Sequence, residues 1–195
     1  MKDRQEICSH LFRQQDSETM GHSIRVANGC VKLAKELVTR GFSVSDDFLV
    51  YEMHDIGKLM IVHEVLWQSQ PLSRQQYSLI KQHTIEGFLL LTNSLREVDD
   101  KLCATTAEVA LLHHENFDGS GYPLKIYGAK IPLEARICRI VDSYDAMISK
   151  RCYKNSQPQK EVIKELNKCT GSFYDPIVMP VFEELILECR GNFLL

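Results

Sequence analysis

Glu18 with His22, His54 with Asp55, His83, and the adjacent pair His113 and His114 account for five of the chain's seven histidines, and Asp142 follows further along. Imidazole nitrogens and carboxylate oxygens are donors that suit iron, manganese, zinc or nickel, and without thiolates they do not make a zinc-finger type of site. A set this large can hold two ions roughly 3.5–4 Å apart. A carboxylate such as Asp55 can bridge both ions, which a lone imidazole cannot do. A water between two such ions loses a proton easily and becomes a nucleophile at neutral pH, while the ions polarise a phosphoryl oxygen and absorb charge in the transition state. Each residue also has an ordinary reading. A histidine on an apolar helix face is usually a core or capping residue, Asp55 and Asp142 are acceptable helix-end charges, Glu18 is an acceptable surface charge, and His-His pairs arise by chance. What argues for chemistry is their joint occurrence at helix positions. His10 and His63 lack that context and read as surface residues.

The elements that must position these groups are helical. Asp16 or Ser17 can cap a helix whose apolar positions Met20, Ile24, Ala27, Val31 and Ala34 keep a 3.6-residue period, and Gly41 ends it. Glu18 and His22, four apart, share one face of that helix. Ser45 or Asp46 opens a second helix that closes at Gly57, so His54 and Asp55 sit at its end, where neighbouring side chains can converge on one point. Ser73 and Gln76 form a capping-box pattern for a third, with Leu72 and Tyr77 at the staple positions, and it is expected to continue through His83 to Leu90. A fourth runs from about Asp99 to His114. Residues 115–131 hold three glycines and a proline and read as a loop. Pro132 starts a fifth helix carrying Asp142, Pro158 another, and Asp175-Pro176 a last one disturbed by Pro180. No strand alternation appears, so the expectation is an all-α, single-domain helical bundle over 17–195, preceded by a loose N-terminal arm over 1–16.

Composition narrows the partners. A net charge of −3 gives no global basic field for polymeric nucleic acid or a membrane surface, and the longest apolar run is too short to span a bilayer. Seven scattered cysteines without a CxxC pair fit a reducing cytoplasm better than a disulfide framework.

Two strings, HDIGK over 54–58 and HHENFDGSGYP over 113–123, resemble the HD-GYP family of the HD phosphohydrolase superfamily. HSIRV at 22–26, PLS at 71–73, the helical His83, IPLEARI at 131–137 and VDSYDAM at 141–147 fall in that family's order, so the resemblance covers roughly 17–182. It implies a helical bundle around two or three divalent metal ions, usually iron or manganese. It also implies hydrolysis of a cyclic dinucleotide, cyclic di-GMP above all, to the linear dinucleotide or GMP. The implied metal ligands are His22, His54, Asp55, His83, His113, His114 and Asp142, with Glu18 in the place of an additional acid found in trinuclear members. Lys58 would approach the scissile phosphate, and Tyr122 of the GYP triplet would contact substrate or serve a docking surface. Arg151 and Lys154 fall where the family carries a basic substrate clamp. There the chain has RCYK in place of Arg-Pro-Tyr-Arg, which bears on loop stiffness and on bidentate contact. The segment after Lys58 also departs, with His63-Glu64 for an Asp-Glu pair and Gln68-Ser69-Gln70 for a Lys-Pro-Gly turn.

Three functions compete on these residues. One is an active cyclic dinucleotide phosphodiesterase. The second is a docking or binding module for cyclic dinucleotide or a diguanylate cyclase (GGDEF) domain. The third is an HD hydrolase of cyclic GMP-AMP, an alarmone or a nucleoside monophosphate. A full ligand set favours an enzyme over an adaptor, and the second histidine pair with the DGSGYP loop favours the first reading.

Overall fold

The structure, a computed structural model, describes residues 3–66, 70–149, 158–189 and 193–195, and side chains for these apart from His63. Among the described residues it is helical, with a single isolated bridge between Thr170 and Tyr174. In chain order the helices are α1 (Arg4–Phe12), α2 (Ser17–Thr39), α3 (Phe48–Glu52), α4 (His63–Leu66), α5 (Arg74–Lys81), α6 (His83–Leu95), α7 (Leu102–Leu112), α8 (Leu133–Ile148), α9 (Gln159–Lys168) and α10 (Val178–Glu188), and a 3-10 turn spans Ile56–Met60. The expected all-α bundle is what forms. No described helix is long and apolar enough to cross a membrane. The six cysteines among the described residues are free, and Cys152 lies outside them.

Local signals explain where the helices begin. Asp16 caps α2 by accepting the Thr19 N–H, Asp47 caps α3 through the N–H groups of Leu49 and Val50, and Ser73 and Gln76 complete the capping box of α5. The third expected helix is interrupted. Gln82 separates α5 from α6, where the His83 ring and the Thr84 hydroxyl take the carbonyls of Ile80 and Lys81. Pro180 does not disturb the last helix. It falls in the first turn of α10, where its missing N–H would have had no helical acceptor, and Asp175 caps the start through Ile177 and Val178.

The apolar face of α2 buries Val26, Ala27, Leu33, Ala34 and Leu37 against α3, α8 and α10, and each fully buried leucine there contributes roughly 1.5–3 kcal/mol. A second cluster joins α1, the α3 end, α6 and α7 through Cys8, Phe12, Met53, Ile56, Leu91 and Ala110. The N-terminal segment is therefore not loose. Arg4 is buried and forks onto both carboxylate oxygens of Asp47, with its Nε on Asp100 at 2.7 Å. Gln15 donates to the main-chain carbonyl of Asp55 at 3.3 Å. The sequence signal for the arm was its polarity. A single periodic pair, Cys8 and Phe12, and one buried arginine are enough to dock it.

Candidate metal centre

Three helix ends and two helix faces deliver the acids and histidines to one place. His54 and Asp55 leave the end of α3, His83 opens α6, His113 and His114 follow α7, and His22 and Asp142 project from α2 and α8. Two glycines make the approach possible. A Cβ at Gly57 would lie 1.9 Å from the His83 carbonyl oxygen, so only glycine lets the turn after Asp55 touch the start of α6. A Cβ at Gly121 would lie 2.3 Å from the Asn116 nitrogen, so the 115–131 loop folds back onto the His113-His114 corner only with glycine there.

Asp55 is the centre of the arrangement. One of its carboxylate oxygens stands 3.3 Å from His83 Nε2 and 3.8 Å from His113 Nε2. The other stands 3.4 Å from His54 Nε2 and 3.5 Å from His22 Nε2, and it also receives the Lys58 ammonium. His22 Nε2 lies 3.1 Å from Asp142. Three donor groups, each with ligand atoms within 4.8 Å of one another, emerge among the described residues: His83, His113 and His114; His22, His54 and Asp142; and His54, Asp55 and His113. They share His54 and His113, so they form one interlocked cluster.

Proton placement tests whether these residues fit metal. The Nδ1 of His54 lies 2.9 Å from the Tyr51 carbonyl, that of His83 lies 2.6 Å from the Ile80 carbonyl, and that of His113 lies 3.0 Å from the Ala110 carbonyl. A carbonyl only accepts, so each Nδ1 carries the proton and each Nε2 is a bare lone pair. All three lone pairs point at the Asp55 side. The His54 Nε2 is buried without a hydrogen-bond partner, and His83 Nε2 faces His113 Nε2 at 3.2 Å, lone pair to lone pair. Buried lone pairs meeting around a buried carboxylate are costly without a cation and are what metal ligands need, with the far ring nitrogen fixed by a carbonyl.

The electrostatics agree. Burial pushes Asp55 and Asp142 up, but Lys58 and His54 beside the first and His22 beside the second outweigh it and hold both well below the usual carboxylate range. Burial, reinforced by His54 and His83, takes His113 down to about 3, and burial likewise depresses His83 and His114. The rings of His83, His113 and His114 stay neutral and Asp55 and Asp142 ionised, the protonation states that bind cations.

Asp145, Glu115 and Lys81 contribute here without having been singled out in the sequence, whereas Tyr122 is expected at the site from the resemblance. Asp145, one turn after Asp142, accepts from His22 Nδ1 at 2.6 Å and from Arg25 Nε at 2.6 Å. Burial pushes it up, but those two partners bring it down to about 2. The matching spacing of His22 with Arg25 and of Asp142 with Asp145 was the available signal. Glu115 is buried beneath the glycine-rich loop and accepts the N–H groups of Leu124 at 2.6 Å and Lys125 at 3.0 Å. Tyr122 stacks on the His114 ring with centroids 4.9 Å apart, and Lys81 lies over the Tyr122 ring. Glu18 is exposed one turn before His22 and belongs to none of the three donor groups. Arg151 and Lys154 lie outside the described residues.

A cyclic di-GMP phosphodiesterase of Thermotoga maritima is 35% identical over 183 residues, covering 94% of this chain and 49% of that protein. A 3'3'-cGAMP-specific phosphodiesterase of Vibrio cholerae is 32% identical over 189 residues, covering 95% of this chain and 34% of that protein. The chain thus spans half or less of the length of these curated relatives. Among solved structures, the HD domain of the Listeria monocytogenes phosphodiesterase PgpH superposes with a TM-score of 0.61 at 19% identity, covering 94% of this chain and 98% of that one, a likeness of fold. The HD domain profile matches residues 6–178, and with the relatives named above this places the chain in the HD domain family, in its HD-GYP branch.

Proposed function

We propose that the chain hydrolyses a phosphodiester bond of a cyclic dinucleotide, cyclic di-GMP first and cyclic GMP-AMP second, to the linear dinucleotide or GMP. The observation that carries the reading is the convergence of three unprotonated Nε2 atoms on Asp55. His83, His113 and His114 would hold one ion and His22, His54 and Asp142 another, with Asp55 facing both sets and Glu18 available to a third. Iron and manganese suit these donors. When bound, such ions supply Lewis acidity toward a phosphoryl oxygen and lower the cost of ionising water at neutral pH.

The chain's own residues do the rest. Asp55, ionised and facing both donor groups, orients and accepts from the attacking water. Lys58, half-buried against Asp55, places a point charge where negative charge grows on the phosphate. Tyr122 walls the His114 side of the site and excludes water from it. Arg151 and Lys154 grip the nucleotide. Residues 17–195 supply every one of these groups, with α1 packed beneath as support. The unpaired thiols support a reducing, cytoplasmic setting. Docking to a diguanylate cyclase (GGDEF) domain is the second reading, favoured by the exposed Leu124 and Tyr127 on the loop beside Tyr122.

The test is turnover by protein loaded anaerobically with iron or manganese, against cyclic di-GMP, cyclic GMP-AMP, an alarmone and a nucleoside monophosphate. Cleavage of a cyclic dinucleotide that His54→Ala abolishes supports the reading. No cleavage of either cyclic dinucleotide by the wild type, with His54→Ala behaving identically, sinks it.

A further inference from the structure

We propose that Lys81, together with Tyr77 and Tyr122, forms a subsite for the non-scissile half of the dinucleotide, with Lys81 on its second phosphate and Tyr77 against the adjoining purine. The proposal rests on the phosphodiesterase reading above and adds two residues that reading does not use.

Tyr77 and Lys81 are four apart on α5 and share a face. The Lys81 Nζ lies 4.6 Å from the Tyr77 ring centroid and 4.8 Å from the Tyr122 centroid. No residue of α5 is buried, so this face is not there to fill a core. Lys81 has no carboxylate partner among the described residues. Two ring faces fix its position through their quadrupoles without neutralising its charge, and they leave ammonium N–H groups free to donate. A fixed, uncompensated cation on the rim of an active site is an anion subsite.

Its place relative to the donor cluster identifies the anion. Lys58 contacts Asp55, Asp55 faces His113, the His113 and His114 rings lie 4.2 Å apart, His114 stacks on Tyr122, and Tyr122 touches Lys81. The two ammonium groups thus stand at the two ends of this series of contacts. A cyclic dinucleotide carries two phosphodiesters across one ring. Seating one against Asp55 and Lys58 leaves the second displaced from them and in need of its own cation, which Lys81 supplies from the Tyr122 end. Tyr77, 49% exposed, offers the flat apolar surface on which a purine stacks.

The experiment compares metal-loaded wild type, Lys81→Met, Lys81→Arg and Tyr77→Leu on cyclic di-GMP and on bis(p-nitrophenyl) phosphate, a diester with a single phosphate. The readout is the ratio of the two kcat/KM values. The ratio falls about tenfold in Lys81→Met, the scale of one charge-assisted hydrogen bond, through KM more than kcat. Lys81→Arg restores most of it, and Tyr77→Leu lowers it by a smaller factor. An unchanged ratio in Lys81→Met, whether both activities fall or neither does, overturns the subsite, because a merely structural lysine affects both esters alike. A wild type that cleaves bis(p-nitrophenyl) phosphate but no cyclic dinucleotide overturns the substrate reading itself, and the subsite with it.

Discussion

Asp145 holds His22 by its Nδ1 at 2.6 Å, and that contact turns the opposite ring nitrogen toward Asp142 and Asp55. The same carboxylate takes Nε and one terminal nitrogen of Arg25, so it is an ionised, fully buried anchor between α2 and α8. A carboxylate behind a ligating imidazole fixes its tautomer and raises its basicity. Asp145→Asn keeps the shape and removes the charge. Affinity for manganese, followed by equilibrium titration, is expected to fall by roughly 10–100-fold. Equal affinity in the variant would show that His22 needs no such support.

Glu115 addresses the loop. Its carboxylate collects the N–H groups of Leu124 and Lys125, while the Tyr122 N–H bonds to the His114 carbonyl at 3.2 Å. Removing the acceptor leaves two part-buried donors without their partner, at a cost of about 1 kcal/mol each. In Glu115→Ala the amides of Leu124 and Lys125 should exchange with deuterium at least tenfold faster, about what 1.4 kcal/mol of lost protection gives. Hydrogen-exchange mass spectrometry resolves the segment, and unchanged protection there would remove Glu115 from the account.

Glu52 carries a pH effect. It is buried at the end of α3, has no hydrogen-bonding partner among the described residues, and burial pushes its carboxyl up to about 7. A carboxyl raised above its unfolded value destabilises the fold once ionisation is forced on it. Its favourable state is fully present below the ordinary carboxyl value of 4.5 and is lost as pH rises through about 7. Glu52→Gln should therefore melt higher than wild type at pH 8, by on the order of 1 kcal/mol, and the gain should shrink toward pH 5. Calorimetry at both pH values measures it, and a gain independent of pH would mean that the carboxyl is not the cause.

Much of this arrangement was legible in the chain, for reasons that can be named. Helix starts at Asp16 and Ser73 follow from local hydrogen bonds, which sequence encodes within a few residues. The seven residues from His22 to Asp142 that meet in one cluster, Asp55 at its centre, stood out because imidazoles are rare and cluster at helix ends. What stayed hidden depends on distant contacts. Arg4 finds Asp47 and Asp100 from far along the chain, so the first helix docks although its sequence looks like a polar arm. The break at Gln82 arises because the His83 ring and the Thr84 hydroxyl occupy carbonyls of the preceding turn, which helix periodicity does not register. Asp145 and Lys81 gain their roles only from the partners that folding sets opposite them.

The central claim is that the lone pairs of His54, His83 and His113 meet around Asp55 in order to share cations. Electron paramagnetic resonance of protein loaded with manganese(II), with the bound metal counted on the same sample, tests it most directly. The account predicts two or more ions per chain and an exchange-coupled spectrum that Asp55→Ala converts to that of isolated ions or empties. One ion or none per chain, or two ions with no magnetic coupling in the wild type, would contradict it.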